Sequence, residues 1–537
     1  MAHFDLILRH GTVYDGLGNE GIVADVGLAG DGIAALGVLS ASEGATVDCT
    51  GLAVAPGLVD IHNHSDLTLL VNPQAESMIR QGVTTLVTGQ CGFTPFPVRP
   101  GQERELDELC PFIAAEVPWT WHSTADFRER LRAAEPAVNV APMVGHSALR
   151  AFVYGFSRGE PSPDQIAEMA RLLEVAFDEG AVGLSFGLGY ALGAFASTEE
   201  LRALCRVAAR RGRHVSFHIR NEGVRLLQSL EEAIGLARDV ADDGVLRVQI
   251  DHLKASGQRS WGRMGEALAL IEAARAEGLD IAFDVYPYIA GSRHLSGSLP
   301  GWVTEGSHEA MMARLRDPDC RQRLREEQEA WDRGEIPVAF LDLAPEHVLI
   351  TDVATEANRW TIGQRLSEVA DQWVADSLTA ALDLLIAEGG FVNACFFSMC
   401  EEDMRLALAH PAGCVGTDGL VFAPYGPLSR GAPHPRSYGT YPRVLGKYVR
   451  EERLLDLPEA IRKCTSFPAS RLNLADRGRI APGYKADLVV FSPVAVRDNA
   501  TFAAPHRYST GVEWVIVNGQ IAVQGEEHAG LGAGRLL

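Results

Sequence analysis

Between about Pro56 and Arg462 the chain alternates between short runs rich in β-branched residues and amphipathic helical stretches. The runs include "GVTTLVTGQ", "NVAPMVGH", "AVGLSFG", "HVSFHI", "RVQIDHL", "IAFDVYP" and "CVGTDG". Between them, "PDQIAEMARLLEVAFDEG" and "STEELRALCRVAARRG" have helical periodicity, and each ends near a glycine. This alternation predicts an α/β fold, specifically a (β/α)8 TIM-like barrel over residues 56–469.

Both chain ends carry short strands separated by glycine turns, unlike the region between them. The segments "DLILRHGTVYDG" and "ATVDCTGLAVAPG" lie in residues 1–55, and "ADLVVFSP" and "GVEWVIVNGQIAVQGEE" lie in residues 470–537. We expect residues 1–55 and 470–537 to pack together as one small β-sandwich domain.

The number of candidate strands exceeds eight, because "HVLITDV" and "GFVNACFFSM" also have the composition of strands. Residues 290–345 contain "GSRHLSGSLPGW" and the charged "RQRLREEQEAWDRGE", which fit an insertion better than a barrel repeat. We therefore expect a helical, peripheral insertion over residues 290–345 within the barrel.

The charge balance limits the classes of partner. The sequence has 48 Lys and Arg against 70 Asp and Glu, a net charge of -22, which disfavours nucleic acid and anionic membranes as partners. No apolar stretch is long enough to span a bilayer, and residues 1–15 lack a signal-peptide pattern. The nine cysteines lack zinc-ribbon spacing and suit a reducing compartment. We expect a cytoplasmic protein that acts on a small-molecule substrate, in an oligomeric state that the sequence leaves open.

Side chains of metal-ligand type end most of the predicted strands. In "DIHNHSD", His62 and His64 lie on one face of an extended strand, which suits chelation of a borderline-soft metal. The other endings are Cys91 in "TGQCG", His146 in "MVGH", His218 in "FHIRNE", His252 in "DHLK" and Asp418 in "GTDG". Any one alone is more often a capping, surface or hydrogen-bonded core residue. Because catalytic groups gather at the carboxyl ends of barrel strands, the whole set predicts a metal site.

These residues also carry a resemblance to a known family. The HxH after the first barrel strand, two further single histidines and the late aspartate resemble the amidohydrolase superfamily. More narrowly, the N-acyl-D-amino-acid deacylases (D-aminoacylases) are similar over nearly the whole chain, in "QGVTTLVTGQCG", "HIRNE", "DHLK", "DVYPY", "VGTDG" and "HPRSYGTYPRVLGKYVR".

The resemblance implies a set of zinc ligands and leaves room for a second, more weakly held metal. The implied ligands of the tightly held zinc are Cys91, His218 and His252, and those of the weaker metal are His62 and His64, assisted by Asp418. Many relatives bridge two metals with a carboxylated lysine, but the first lysine here is Lys254. A bridging thiolate of Cys91 is therefore expected instead. His146 matches no ligand and is expected to support the site from behind or to belong to the core.

The expected chemistry follows from these ligand types. Zinc lowers the pKa of a bound water to roughly 7. Asp418 is expected to act as the general base and acid, and the Tyr286 hydroxyl to stabilise the oxyanion. The alternative for Tyr286 is a core aromatic residue.

The substrate's carboxylate requires local cations. Lys254 lies two residues after His252 and so shares its strand face. Arg436 offers a bidentate fork for a carboxylate. The resemblance assigns Lys254, Tyr190 and this arginine to the substrate carboxylate, but the long spacing from Asp418 leaves Arg430 as an alternative to Arg436.

The leading hypothesis is zinc-dependent hydrolysis of the amide bond of N-acyl-D-amino acids, which releases a carboxylate and a free D-amino acid. The preference for the D hand comes from the resemblance alone. One alternative is a related amidohydrolase that acts on another amide, such as a dipeptide or a cyclic imide. A different class of alternative is a metal-binding scaffold without catalysis. Side-chain and acyl-chain specificity stay open.

Overall fold

The structure is a computed structural model that describes residues 3–40, 44–109, 117–337 and 339–537. Its central part is an α/β arrangement of parallel strands joined by helices. Three parallel strands form one sheet: Leu58–Asp60, Val83–Thr88 and Asn139–Pro142. Six more form a second sheet, in chain order Val144–Gly145, Gly183–Gly187, His214–His218, Arg247–Ile250, Ile281–Val285 and Gly413–Val415. Parallel strands that pair in each sheet are also consecutive among the parallel strands along the chain, as the alternating pattern predicts.

Helices cover these strands, which explains why whole strands such as Gly183–Gly187 are buried. Helices that connect or follow the parallel strands are Thr68–Val71, Glu76–Ile79, Glu103–Leu109, Thr124–Arg132, His146–Tyr154, Pro163–Asp178, Thr198–Arg210, Leu226–Asp239, Met264–Ala276, Glu401–Ala409, Arg436–Arg443, the π-helix Val444–Glu451, Leu457–Cys464 and Ser466–Arg471. Short 3-10 turns lie at Gly193–Phe195, Gln258–Ser260, Leu295–Ser298, Pro345–His347, Glu356–Thr361 and Pro427–Ser429.

The helix expected from "PDQIAEMARLLEVAFDEG" shows how local sequence sets an element. It begins after Ser162, whose hydroxyl accepts from the Gln165 backbone N–H at 3.3 Å, while the Gln165 side chain accepts from the Ser162 N–H at 2.9 Å. This reciprocal capping satisfies two backbone donors that the first helical turn leaves unpaired. The helix then runs over Pro163–Asp178 and ends before Gly180.

The two parallel sheets meet where the first and last parallel strands end. Asn63 forms a parallel bridge with Gly419, and the Asp418 N–H donates to the His62 carbonyl oxygen at 2.9 Å. Below this bridge the Thr417 N–H donates to the buried Asp60 carboxylate at 2.8 Å. These bonds hold the HxH segment directly beside the segment that carries Asp418.

Strands from both chain ends are hydrogen-bonded into one nine-stranded sheet. Its members are Leu6–Val13, Ile22–Ala29, Gly32–Gly37, Ala45–Asp48, Ala53–Pro56, Leu488–Phe491, Val512–Val517, Gln520–Gln524 and Glu527–His528. The strands 53–56 and 488–491 pair antiparallel and so join the two chain ends. The strands share one continuous sheet whose edge at Gly32 bridges back to Lys485, and their arrangement as a β-sandwich stays a prediction.

A third, antiparallel sheet lies within the segment between the last two parallel strands. It consists of Gly291–His294, Val348–Val353 and Val392–Phe396, with 392–396 in the middle. Helices in the same segment are Gly301–Thr304, His308–Arg316, Pro318–Asp332, Leu366–Trp373 and Ser377–Ala387. The departure from the parallel pattern therefore spans 291–396, longer than the expected helical insertion over 290–345. The surplus candidate strands "HVLITDV" and "GFVNACFFSM" belong to it, because strand 392–396 pairs with both 291–294 and 348–353 and the sheet covers a separate apolar core.

No helix in the described part of the chain has both the length and the apolar character needed to cross a membrane.

Candidate metal centre

The predicted ligands converge at the carboxyl ends of the parallel strands. Cys91 follows strand 83–88, His218 ends strand 214–218 and His252 follows strand 247–250. The backbone at Cys91, His252 and Asp418 is left-handed, with φ of 53°, 32° and 49°. Such values are uncommon for residues with a Cβ and concentrate at functional sites. Here they turn the side chains away from the strand direction and toward one another.

One cluster consists of Cys91, His218 and His252, all buried. The Cys91 Sγ lies 3.7 Å from His218 Nδ1 and 3.5 Å from His252 Nε2. Zinc bonds of ordinary length at a tetrahedral angle place sulfur and nitrogen ligands roughly 3.6 Å apart. The two imidazole nitrogens are 2.9 Å apart, slightly closer than such a site requires. The sulfur–nitrogen spacing therefore suits a single zinc ion.

A second cluster shares members with the first. The ligand atoms of His62, His64 and Cys91 form one group within 4.8 Å of one another, and those of His62, His252 and Asp418 form another. The Asp418 Oδ1 lies 3.1 Å from His64 Nε2 and 3.5 Å from His62 Nε2. The Cys91 Sγ is 3.5 Å from His62 Nε2, so the thiol stands between the two clusters. A thiolate in that position can bridge two metal positions.

Burial makes the site costly without a bound cation. Desolvation raises the pKa of the Cys91 thiol to about 12 and lowers the pKa of His64 to about 4. Burial also lowers the pKa of His218 well below its usual range. The imidazoles of His64 and His218 and the thiol of Cys91 therefore offer lone pairs in a buried place. A divalent cation satisfies these lone pairs and stabilises the thiolate, so the donor set fits zinc.

Asp418 stays a carboxylate despite its burial. Burial raises its pKa, but the charges of Arg436 and His252 and the bond from His64 outweigh this and hold the pKa well below its usual range. An Arg436 N–H donates to Oδ2 at 2.6 Å, while Oδ1 faces the histidines. One oxygen is thus fixed from outside, and the other faces the metal ligands.

Carboxylates that the sequence did not single out lie behind two of the ligands. The His62 Nδ1 lies 3.4 Å from Asp284 and 3.6 Å from Asp251, and the His252 Nδ1 lies 2.9 Å from Glu222. Such outer carboxylates fix the tautomer of ligating histidines. The available signals were acidic residues inside the apolar "IAFDVYP" and "RVQIDHL" and at the end of "HIRNE".

The residues expected to bind substrate lie around the same site. The Lys254 Nζ donates to Glu222 at 2.5 Å and lies 2.7 Å from His252 Nδ1. The Tyr286 ring is 4.9 Å from the Arg436 guanidinium carbon and 5.8 Å from the Lys254 nitrogen. The buried hydroxyl of Tyr286 has no hydrogen-bond partner among the described residues. The Tyr190 ring stands 4.4 Å from the His218 ring.

Two residues that the sequence left open lie outside this group. Arg430 is exposed and pairs with Asp352 at 3.1 Å, in the segment of the antiparallel sheet. Of the two candidate arginines, only Arg436 reaches the metal ligands. His146 is fully buried and its Nε2 lies 2.7 Å from Glu200, which also binds Arg150. It belongs to a buried ionic cluster behind the strands.

The chain is similar over nearly its whole length to known amidohydrolases. The model of the amidohydrolase family matches residues 45–523. A D-aminoacylase from Alcaligenes xylosoxydans xylosoxydans is 36% identical over 539 residues, covering 99% of this chain and 97% of the relative.

Two solved structures are also similar over their full length. One is a D-aminoacylase with a binuclear metal centre, for which one-metal activation and second-metal attenuation are described. It superposes with a TM-score of 0.81 at 36% identity, and the match covers 99% of both chains. An N-acyl-D-glutamate deacylase from Bordetella bronchiseptica, complexed with zinc and a phosphonate mimic of the tetrahedral intermediate, gives a TM-score of 0.82 at 31% identity, and covers 100% of both chains. Together with the family match, these similarities show that the chain belongs to the amidohydrolase family, in the group that contains the D-aminoacylases.

Proposed function

We propose that this protein is a metal-dependent hydrolase of the amide bond of N-acyl-D-amino acids. The single observation that supports this most is the convergence of Cys91, His218 and His252 beside an ionised Asp418. The full-length relatives act on N-acyl-D-amino acids by name, which supports the substrate class and its hand. The products are a carboxylate and a free D-amino acid.

We further propose that the two parallel sheets are parts of one (β/α)8 barrel over residues 56–469. Strand 139–142 of one sheet is followed directly by strand 144–145 of the other, and Asn63 bridges to Gly419 at the opposite junction. Both junctions support a closed ring of eight strands, with 139–145 counted as one. Residues 1–55 and 470–537 then form a small β domain beside it, and 291–396 form the insertion.

In this proposal zinc is held by Cys91, His218 and His252, and a weaker second metal by His62 and His64 with Asp418. A zinc ion bound there supplies a Lewis acid that lowers the pKa of a water molecule to about 7 and polarises the acyl oxygen. The Asp251 and Asp284 carboxylates hold the His62 ring from behind. Glu222 does the same for His252.

Asp418 moves the proton. Its Oδ1 faces the ligand cluster, where it takes a proton from the attacking water and returns it to the leaving amine. Arg436 holds the other oxygen and prevents the carboxylate from rotating away. Because the pKa of Asp418 is held low, the group is ionised at neutral pH.

The remaining residues bind the substrate. The unpartnered hydroxyl of Tyr286 donates to the oxyanion that forms on the acyl oxygen. Lys254 and the guanidinium of Arg436 hold the substrate carboxylate, together with Tyr190, whose ring stands beside His218. A carboxylate anchor, an acyl-oxygen site and a side-chain pocket give three attachment points, the minimum for reading a stereocentre.

The test is a screen of paired N-acetyl-D- and N-acetyl-L-amino acids, with the released amine as the readout. The proposal expects hydrolysis of D substrates, loss of activity with a chelator, and recovery with zinc. A dipeptide and a cyclic imide in the same screen test the other amides. Hydrolysis of only those compounds would replace the proposed substrate class, and no hydrolysis at full zinc content would leave a binding scaffold.

A further inference from the structure

Glu222 makes two charged contacts with one oxygen atom. Its Oε1 lies 2.9 Å from Nδ1 of His252, an expected zinc ligand, and 2.5 Å from Nζ of Lys254. The Glu222 side chain is 16% exposed and the other two are less than 10% exposed, so water competes little for these bonds. The carboxylate thus stands between the metal site and the expected anchor of the substrate carboxylate.

The chain course around Glu222 keeps this oxygen in place. The Glu222 carbonyl accepts from the Ser256 N–H at 2.8 Å, which ties its loop to the loop that follows His252. The Asn221 side chain accepts from the N–H groups of Gly223 at 3.1 Å and Arg225 at 2.9 Å. The loops that follow strands 214–218 and 247–250 are therefore hydrogen-bonded to each other next to the Glu222 carboxylate.

The proton positions follow from elementary valence. To bind a metal, the His252 Nε2 must present a lone pair, so the ring proton must sit on Nδ1. An N–H at Nδ1 needs an acceptor, and the Lys254 ammonium, although only 2.7 Å away, has donors alone. Glu222 is the acceptor within reach. Lys254 must then donate to Glu222 and not to the ring.

We propose that Glu222 is a positioning residue with two duties: it accepts the Nδ1–H of His252, so that Nε2 faces the metal, and it holds the Lys254 ammonium toward the substrate. The second duty rests on the proposed function, and the first does not. One N–H of Lys254 is used by Glu222, which leaves two for a carboxylate. Glu222 therefore links metal binding with carboxylate recognition through a single atom.

The rival arrangement has Lys254 donating to Nδ1 of His252. In that case the ring proton sits on Nε2 and points toward the Cys91 sulfur, and Nε2 can bind a metal only after Lys254 releases Nδ1. The two arrangements predict opposite sensitivities of zinc affinity to changes at Glu222 and at Lys254.

The experiment uses the full-length enzyme and the variants Glu222→Gln, Glu222→Leu and Lys254→Met. The dissociation constant for zinc is measured by competition with a chromogenic chelator, and the visible absorption of the cobalt(II)-substituted protein reports the ligand geometry. Glu266→Leu, at an exposed glutamate on helix 264–276, is the matched control. Circular dichroism verifies folding for each variant.

Glu222→Leu is expected to weaken zinc binding by about 10 to 100-fold and to alter the cobalt spectrum. Glu222→Gln retains an oxygen acceptor, so it is expected to restore most of the affinity and the spectrum while losing selectivity for a free carboxylate. Lys254→Met is expected to leave zinc affinity within about threefold, because it removes no acceptor.

Unchanged zinc affinity and spectrum in folded Glu222→Leu would overturn the proposal, as would an equal loss in Lys254→Met. Failure of the proposed function is a separate result. An enzyme that hydrolyses no N-acyl-D-amino acid removes the second duty, whereas the zinc and cobalt measurements still decide the first.

Discussion

Strand His214–His218 begins and ends with a histidine, and the two rings serve different purposes. Residues four apart on a strand lie on the same face, and both histidines are buried. At the carboxyl end, His218 lies 2.9 Å from His252 and 3.7 Å from Cys91. At the amino end, neither nitrogen of His214 makes a well-aligned hydrogen bond among the described residues, although the Arg471 backbone lies close to the ring. The same residue type thus becomes a ligand candidate only where other ligands converge.

The contrast extends to the surroundings of the two strand ends. Near the amino ends, cations bond to backbone oxygens: the Lys463 Nζ donates to Gly413 at 2.7 Å and Arg471 donates to Val248 at 2.8 Å. At the carboxyl ends, polar side chains face one another, and three of them have left-handed backbone. The bonds at the amino ends stabilise the fold. At the carboxyl ends, the strained backbone and buried polar atoms cost free energy, which a bound metal offsets.

The largest expected effect comes from Cys91→Ala. Cys91 stands between both ligand clusters, so its loss should remove zinc and activity together. Metal analysis of the purified variant and an amidase assay measure both. Cys205→Ala is the control, because Cys205 is equally buried but lies in helix 198–210. Full zinc content in Cys91→Ala would break the contrast between the two strand ends.

Asp418→Asn separates catalysis from metal binding at the same end. The asparagine keeps the size and an oxygen near His64 but cannot take the proton, so kcat should fall by about 10²- to 10⁴-fold. The tightly held zinc should remain, since Cys91, His218 and His252 are intact. Turnover close to that of the unmodified enzyme would show that Asp418 is not the acid and base.

Much of this contrast can be predicted from the sequence. The periodic alternation places His62, Cys91, His218 and Asp418 at strand ends, where one sheet edge gathers them. The residues that orient these ligands are harder to find. Glu222 reaches His252 only because two loops are hydrogen-bonded at Ser256, and no spacing in "HIRNE" expresses that course.

The extent of the antiparallel segment 291–396 also cannot be predicted from local sequence patterns. "HVLITDV" and "GFVNACFFSM" have the composition of strands, and the composition does not tell which sheet they join. Strand 392–396 pairs antiparallel with both 291–294 and 348–353, and these are contacts between segments far apart in the chain. The same limit applies to Arg436, whose contact with Asp418 depends on the path of the long intervening loop.

Carboxylate recognition gives a smaller and more selective effect. Lys254→Met should lower kcat/KM for an N-acyl-D-amino acid by about 10- to 150-fold, equivalent to a lost charge-assisted contact of about 1.5 to 3 kcal/mol, and should affect the neutral amide much less. Arg436→Met should lower kcat/KM for both substrates, because Arg436 also holds Asp418, the proposed acid and base.

The comparison of kcat/KM for the acid and for its amide separates the two cations. Equal losses on both substrates in Lys254→Met would contradict the carboxylate role of Lys254. A loss confined to the acid in Arg436→Met would contradict its role in fixing Asp418.

The smallest effect is expected from His214→Leu, which directly tests the difference between His214 and His218 at the two ends of their strand. Burial lowers the pKa of His214 to about 3, so the ring is neutral at physiological pH and removing it removes no charge. A buried imidazole whose nearest polar partner is a poorly aligned backbone group of Arg471 contributes little beyond its volume, so leucine should change the free energy of unfolding by no more than about 1 kcal/mol. Zinc content and turnover should be unchanged. The matched His218→Leu, made on the same face of the same strand, should lose zinc. Chemical denaturation with metal analysis measures both variants, and zinc loss in His214→Leu would show that the amino end also supports the metal centre.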